Sequence, residues 1–219
     1  MLELMKQRHS VRSYIDKPLD EESVRILREE ILKWNKEADL NMQLYINEKD
    51  AFSGLLAHYG KFKGVKNYIA MVGPKTKDLD EKIGYYGGHL VLKAQELGLN
   101  TCWVGLTFNK RKSHHVVNEG EKLVCVIALG YGETQGVSHK SKSIEDLCVV
   151  YDEMPEWFYN GMQAVMLAPT ALNQQRFQFT YNGECVEAKA FPAFYSKVDL
   201  GIAKYHFEIG ANQNIKWKS

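Results

Sequence analysis

At 219 residues, with 45% apolar residues, 25% charged residues and a formal charge of +1, the chain has the composition of an ordinary globular protein able to bury a sizeable core. The near-zero charge gives no reason to expect nucleic acid or a general attraction to membrane surfaces, and no apolar run nears the roughly 18 residues of a membrane span. Cys102, Cys125, Cys148 and Cys185 are widely spaced and form no C-x-x-C pair, and no signal-type hydrophobic segment follows Lys6, Arg8 and Arg12, so the expectation is a soluble cytoplasmic protein with reduced thiols.

In chain order, Leu2, Leu4 and Met5 give a short N-terminal helix an apolar side. It runs into Gln7-Arg8-His9-Ser10-Val11-Arg12-Ser13-Tyr14, where two arginines bracket a hydroxyl as the chain turns extended toward Pro18. Guanidinium forks match phosphate oxygens in pairs, so Arg8, Ser10 and Arg12 with nearby backbone N–H groups can hold an anion of phosphate size. The same residues also read as a solvated basic face. Asp20 caps a helix over residues 21–34, with Val24, Leu27, Ile31 and Trp34 spaced to face a core. Residues 41–47 alternate as a strand, and residues 49–63 read as a helix and loop. Tyr68-Ile69-Ala70-Met71-Val72 is a buried strand ended by Gly73-Pro74. A helix follows over residues 80–97, with Ile83, Tyr86, Leu90 and Leu97 at helical spacing and Gly98 as its stop. Gly87 and Gly88 inside it each cost about 1 kcal/mol relative to Ala, which points to close approach of another backbone there.

Residues 101–105 form a short strand, residues 109–118 a basic helix or loop, and residues 122–129 a strand ending in Gly130-Tyr131-Gly132. That glycine pair is no dinucleotide fingerprint, because the third Gly and a following helix are missing. His114 and His115 point apart on a helix and have no partner at ligand spacing, so no metal site is expected. Lys140 and Lys142 lie in an extended polar segment, where alternate residues share one side and two ammonium groups can reach one anion; a solvated loop is the other reading. Pro155 opens a helix over residues 156–167, with Trp157, Met162, Val165 and Met166 on its apolar side. It runs into Ala168-Pro169-Thr170-Ala171-Leu172-Asn173-Gln174-Gln175-Arg176-Phe177. A last helix covers residues 197–210, with Val198, Leu200, Ile202, Tyr205 and Ile209 on its apolar positions, and it echoes the helix at residues 83–97.

Arg8-His9-Ser10-Val11-Arg12-Ser13-Tyr14, followed by Pro18, Leu19 and the helix at Asp20, resembles the N-terminal signature of the FMN-dependent nitroreductase family. The Ala168-Pro169-Thr170 to Phe177 run resembles that family's Ala-Pro-Ser-x-x-Asn-x-Gln-Pro-x-x-Phe loop, and Lys140 with Lys142 its basic pair. The resemblance implies an α+β nitroreductase-like fold, with a central, mostly antiparallel sheet flanked by helices. It also implies FMN as cofactor: Arg8, Ser10, Lys140 and Lys142 on the phosphate, with His9 inside the motif, and Arg12 at the pyrimidine edge. Val104 and Gly105 would approach the central ring with their backbones, and Pro169, Thr170, Asn173 and Gln175 would line the flavin's other end. NAD(P)H would be the electron donor and a small aromatic, quinone or related molecule the acceptor. No amino-acid nucleophile or base is required, in keeping with the lack of a Ser-His-Asp or Cys-His arrangement.

The motifs depart from the family pattern in where they stand. The first helix is followed by Trp34-Asn35-Lys36-Glu37-Ala38-Asp39-Leu40-Asn41-Met42-Gln43, which keeps an Asn and a Gln but lacks Ala-Pro-Ser, whereas no Arg-x-Ser-x-Arg precedes Pro155. In the family the two features come from different subunits. The expectation is therefore an internal pseudo-two-fold within a single nitroreductase-like domain spanning residues 1–219. Its first half is 1–147 and its second half 148–219, joined through a short link at residues 143–154, with one flavin site per chain, as a monomer or weak homodimer. The alternatives are a non-catalytic flavin-binding or structural protein with a closed substrate face, and an α/β module for another phosphorylated ligand.

Overall fold

The computed structural model describes residues 1–54 and 58–218. It opens with α1 (Leu2–Gln7) and α2 (Glu21–Ala38), which Asp20 caps by accepting the Ser23 N–H at 2.8 Å and the Ser23 hydroxyl at 2.7 Å. Leu27, Ile31 and Trp34 are buried, as their spacing predicts. The helix runs a turn past Trp34 because Asp39 adopts φ 55° and donates its N–H to the Asn35 carbonyl, satisfying a terminal acceptor.

By Cα proximity the chain groups into two units, Gln7–Leu79 with Leu90–Val137, and Met1–Lys6 with Asp80–His89 and Ser138–Ser219. The first holds β1 (Gln43–Tyr45), β2 (Asn67–Pro74), β3 (Asn100–Val104) and β4 (Glu121–Gly130) in one antiparallel sheet of order β1-β2-β4-β3. This is the antiparallel sheet expected. β2 is buried along all but its last residue, which explains why its sequence is a continuous apolar run and not an alternating one. Tyr68, Ala70 and Val72 join Val11, Tyr14, Val104, Phe108 and Val126 in the core of this unit. Within residues 49–63 the structure shows a 3-10 turn at Asp50–Phe52 and helical conformation at His58 and Tyr59; residues 55–57 of that expected helix and loop lie outside the described residues. Residues 109–118 take the loop alternative.

Helix α3 (Leu79–Glu96) follows β2, and its residues 80–89 belong to the second unit. There too are α4 (Ile144–Leu147), β5 (Cys148–Val150), α5 (Glu156–Val165), β6 (Phe177–Tyr181), β7 (Val186–Ala190) and α6 (Ser196–Ala211). β5, β6 and β7 make a second sheet, with β5 parallel and β7 antiparallel to β6. The segment read as a link is itself structured: Ser143 and Asp146 form a capping box for α4, and β5 follows at once. Phe179 and Phe158 pack on Phe207 of α6 with ring centroids 5.1 and 5.2 Å away, each large ring removing much apolar surface from water.

The backbones of α3 and α6 approach closely where the two helices cross. A Cβ on Gly84 would lie 2.0 Å from the Val198 carbonyl oxygen, and one on Gly201 would lie 2.0 Å from the Glu81 carbonyl oxygen. The contact is reciprocal: each glycine stands three residues after the carbonyl that the other would strike. Close backbone approach was expected at Gly87 and Gly88, and for Gly88 the structure corrects it. Gly88 makes room for the Tyr205 ring, 2.8 Å from where its Cβ would be, and the backbones meet one turn earlier, at Gly84.

Gly84→Ala or Gly201→Ala must therefore push the helices apart. Overpacking of this kind costs typically about 1–3 kcal/mol, and the backbone target puts either variant at or above the upper end. Urea unfolding checks this; a midpoint unchanged in both variants would contradict the crossing.

Candidate functional site

The arginine motif is laid along the edge of β3. Ser10 bridges Thr101 in parallel register, and the Val11 N–H donates to the Thr101 carbonyl at 3.0 Å. Tyr14 fastens the other end: its hydroxyl donates to the Val11 carbonyl at 2.7 Å, and its N–H to the Lys63 carbonyl at 3.0 Å. Above the motif, Asn100 accepts the Gly132 N–H at 2.9 Å and donates to Gln135 at 3.0 Å, pinning the loop after β4. In that loop Gly136, at φ 74°, sits where a Cβ would be 2.8 Å from that of His9. No substituted residue fits there without displacing the motif.

This strap buries Arg8 to 2% exposure. Its Nε has no hydrogen-bond partner among the described residues. Burial pushes its pKa down to about 10, against a smaller opposing effect of the neighbouring Cys102. At neutral pH the guanidinium stays charged, at a desolvation cost on the order of 3 kcal/mol for the shift. The Cys102 thiol donates to the Trp103 carbonyl at 3.5 Å; burial holds it above its usual range against the lowering effects of Arg12, Ser10 and Arg8. His9, half-buried, is lowered by burial and then by Arg8. Arg12 is exposed, Val104 ends β3 in the core, and Gly105 follows half-exposed. A buried cation with an unused donor, beside a hydroxyl and a second guanidinium, suits an oxyanion such as a phosphate.

In the other unit, the loop after α5 is tied to the basic segment. The Gln175 amide accepts the Lys142 N–H at 2.7 Å and donates to the Lys140 carbonyl at 3.1 Å and to Asn173 Oδ1 at 3.0 Å. Asn173 also donates to the Lys140 carbonyl at 2.8 Å, Lys142 Nζ donates to the Gln175 carbonyl at 3.1 Å, and the Thr170 hydroxyl accepts the Gln175 N–H at 3.3 Å. Lys140, Lys142, Thr170, Asn173 and Gln175 are thus assembled in one network, with Pro169 leading into it. The turn is strained: Leu172, Asn173 and Gln175 have φ of 53°, 54° and 46°, a region that costs non-glycine residues free energy and persists only where surroundings impose it.

Asp199, in the first turn of α6, is one group that imposes it. Its carboxylate accepts the Ala171 N–H at 2.8 Å and the Gln174 side-chain amide at 2.9 Å. It is 2% exposed, and burial raises its pKa from 3.8 to about 6 against those two hydrogen bonds. Sequence reasoning missed Asp199, Gln174, Asn100 and the placement of Cys102. A charged residue between Val198 and Leu200 in an otherwise apolar helix was the available signal for Asp199. Asn35 and Gln43, the remnants after the first helix, are committed elsewhere: Asn35 brackets the Met42 backbone at 2.8 and 2.9 Å, and Gln43 bonds Val116 at 2.7 and 2.8 Å.

A family model described as "Putative TM nitroreductase" matches residues 1–211. Among solved structures, a nitroreductase from Thermotoga maritima, itself described as putative, aligns with TM-score 0.68 at 22% identity, over 95% of this chain and 82% of its own. A nitroreductase from Desulfovibrio desulfuricans in complex with FMN aligns with TM-score 0.55 at 22% identity, over 70% of this chain and 96% of its own. An NADH dehydrogenase/NAD(P)H nitroreductase from Bacteroides thetaiotaomicron, also described as putative, aligns with TM-score 0.53 at 18% identity, over 67% of this chain and 94% of its own. These likenesses show the fold, in agreement with the α+β expectation. No curated protein matches the sequence.

The raised Asp199 pKa makes a pH-dependent prediction. The folded state holds this proton more tightly than the unfolded chain, so folding gains stability as pH falls through 6 toward 4 and loses it as pH rises through 6. Wild type should gain on the order of 1 kcal/mol relative to Asp199→Asn between pH 7 and pH 5, measured by urea unfolding of both proteins. A difference that does not change with pH would contradict the assignment.

Proposed function

The chain belongs to the nitroreductase family, and from that premise we propose that it is an FMN-dependent oxidoreductase passing electrons from NAD(P)H to a small aromatic, quinone or related acceptor. The observation that carries the proposal is Arg8, a buried guanidinium whose Nε is unpartnered among the described residues, inside the motif whose family counterpart holds a flavin phosphate. A phosphate dianion is the counter-charge such a cation calls for.

Arg8, Ser10, Lys140 and Lys142 would hold that phosphate and Arg12 would lie at the pyrimidine edge, where a fixed positive charge stabilises negative charge on the ring. Val104 and Gly105 would offer backbone groups beside the central ring, and Pro169, Thr170 and Asn173 would line the far end. When bound, FMN supplies the hydride and electron chemistry that no side chain here can. The residues bind, orient and tune. One chain would supply both sets of residues, as an internal pseudo-dimer. Two findings support this: the motifs are lost in complementary places, and Gly84 and Gly201 meet reciprocally, as equivalent residues do across an isologous interface.

Loss of two charge-assisted contacts, at about 1.5–3 kcal/mol each, should leave a variant carrying both Arg8→Ala and Lys140→Ala free of flavin after purification, while wild type is yellow and bleaches anaerobically with NADH or NADPH. A variant that keeps undiminished flavin would overturn the phosphate assignment. Wild-type flavin that neither nucleotide bleaches would make the protein a non-catalytic binder.

A further inference from the structure

We infer that Gln175 is a positioning residue: it fixes the backbone that presents Lys140 and Lys142, and it makes no contact with the ligand itself. The inference rests on the functional reading above for the identity of that ligand, and on geometry alone for the tether. A primary amide has two N–H donors and two acceptor sites. In Gln175 all are used within the protein: Oε1 accepts the Lys142 N–H at 2.7 Å and the Ser141 hydroxyl at 3.3 Å, and Nε2 donates to the Lys140 carbonyl at 3.1 Å and Asn173 Oδ1 at 3.0 Å. None is left for a flavin.

The pattern has a structural meaning. By bonding the carbonyl of residue 140 and the N–H of residue 142, the side chain does for this extended segment what a neighbouring strand does for a β-strand, and Lys142 Nζ returns a bond to the Gln175 carbonyl. Gln175 is 4% exposed, whereas Asn173 two residues before it and Arg176 after it are exposed. Its left-handed φ of 46°, after those of Leu172 and Asn173, turns the amide inward. Such groups behind a ligand-binding set orient it and contribute affinity without touching the ligand.

The test uses trypsin, which cuts after lysine, and two flavins that differ only in the phosphate. In flavin-free protein well below its unfolding temperature, Gln175→Ala should be cut after Lys140 and after Lys142 about tenfold faster or more than wild type, because local opening of the segment loses its hydrogen-bonded brace. Gln175→Glu is the near-isosteric second variant, and keeps the acceptor for the Lys142 N–H while losing the donors to the Lys140 carbonyl. It should speed the cut after Lys140 more than the cut after Lys142. FMN affinity of Gln175→Ala should fall about tenfold or more and riboflavin affinity clearly less, since both lysines lose their brace while Asn173 keeps its own bond to the Lys140 carbonyl. Unchanged cleavage in both variants would overturn the tether, whatever the flavin result. Riboflavin affinity falling in step with FMN would overturn the claim that Gln175 acts through the two lysines. Wild type that does not prefer FMN to riboflavin would count against the functional reading, and the cleavage rates then decide the tether by themselves.

Discussion

The contact on which the second unit depends is the crossing of two helix backbones at Gly84 and Gly201, with no side chain between them. It fixes the start of α6, and with it Asp199. Asp199 in turn holds Ala171 and Gln174, and the loop so held delivers Gln175 to the carbonyl of Lys140 and the N–H of Lys142. The chain of cause runs from a missing pair of methyl groups to the placement of two ammonium groups. Each link is a part-buried hydrogen bond of 2.7 to 3.1 Å or a steric fit, so disturbance at one link is passed on, because packed interiors do not deform smoothly.

The first unit solves a related problem by different means. There the motif is an added strap on the edge of an antiparallel sheet, fastened by Ser10, Val11 and Tyr14, and the cost is electrostatic. A guanidinium is held out of water with its Nε unpartnered among the described residues. Proteins seldom keep a buried charge without a partner, since the desolvation penalty is several kcal/mol. An arrangement that costs stability in the free protein and repays it on binding an anion is what a pre-formed phosphate site requires. Strain in one unit and desolvation in the other are both carried by residues the family motifs contain.

Much of this was legible in the residues themselves. The apolar run of β2, the amphipathic spacing of α2 and α6 and the Arg8–Arg12 motif each follow local rules that tertiary context did not override. The β6–β7 hairpin was missed although its signal was present: Asn182-Gly183 stands between two short runs, and the Asn182 side chain accepts the Glu184 and Cys185 N–H groups at 3.1 and 3.0 Å. α4 and β5 were too short for periodicity to reveal. Other features lie beyond a single sequence. Which glycine of α3 faces a backbone depends on where α6 crosses, and an aspartate's burial depends on what folds over it. The appearance of Gln175 as a flavin contact followed from its motif, while its saturation by Lys140, Ser141, Lys142 and Asn173 is a fact of three dimensions.

The central claim is that one chain completes one flavin site. It is tested most directly by titrating flavin-free protein with FMN, following the quenching of flavin fluorescence, and fixing the mass of the loaded species in solution by light scattering. Saturation is expected at one FMN per chain in a species of one chain's mass, and a weak pairing of such loaded chains would leave that ratio unchanged. Saturation only in an obligate dimer, with flavin-free chains that cannot bind until they associate, would contradict it.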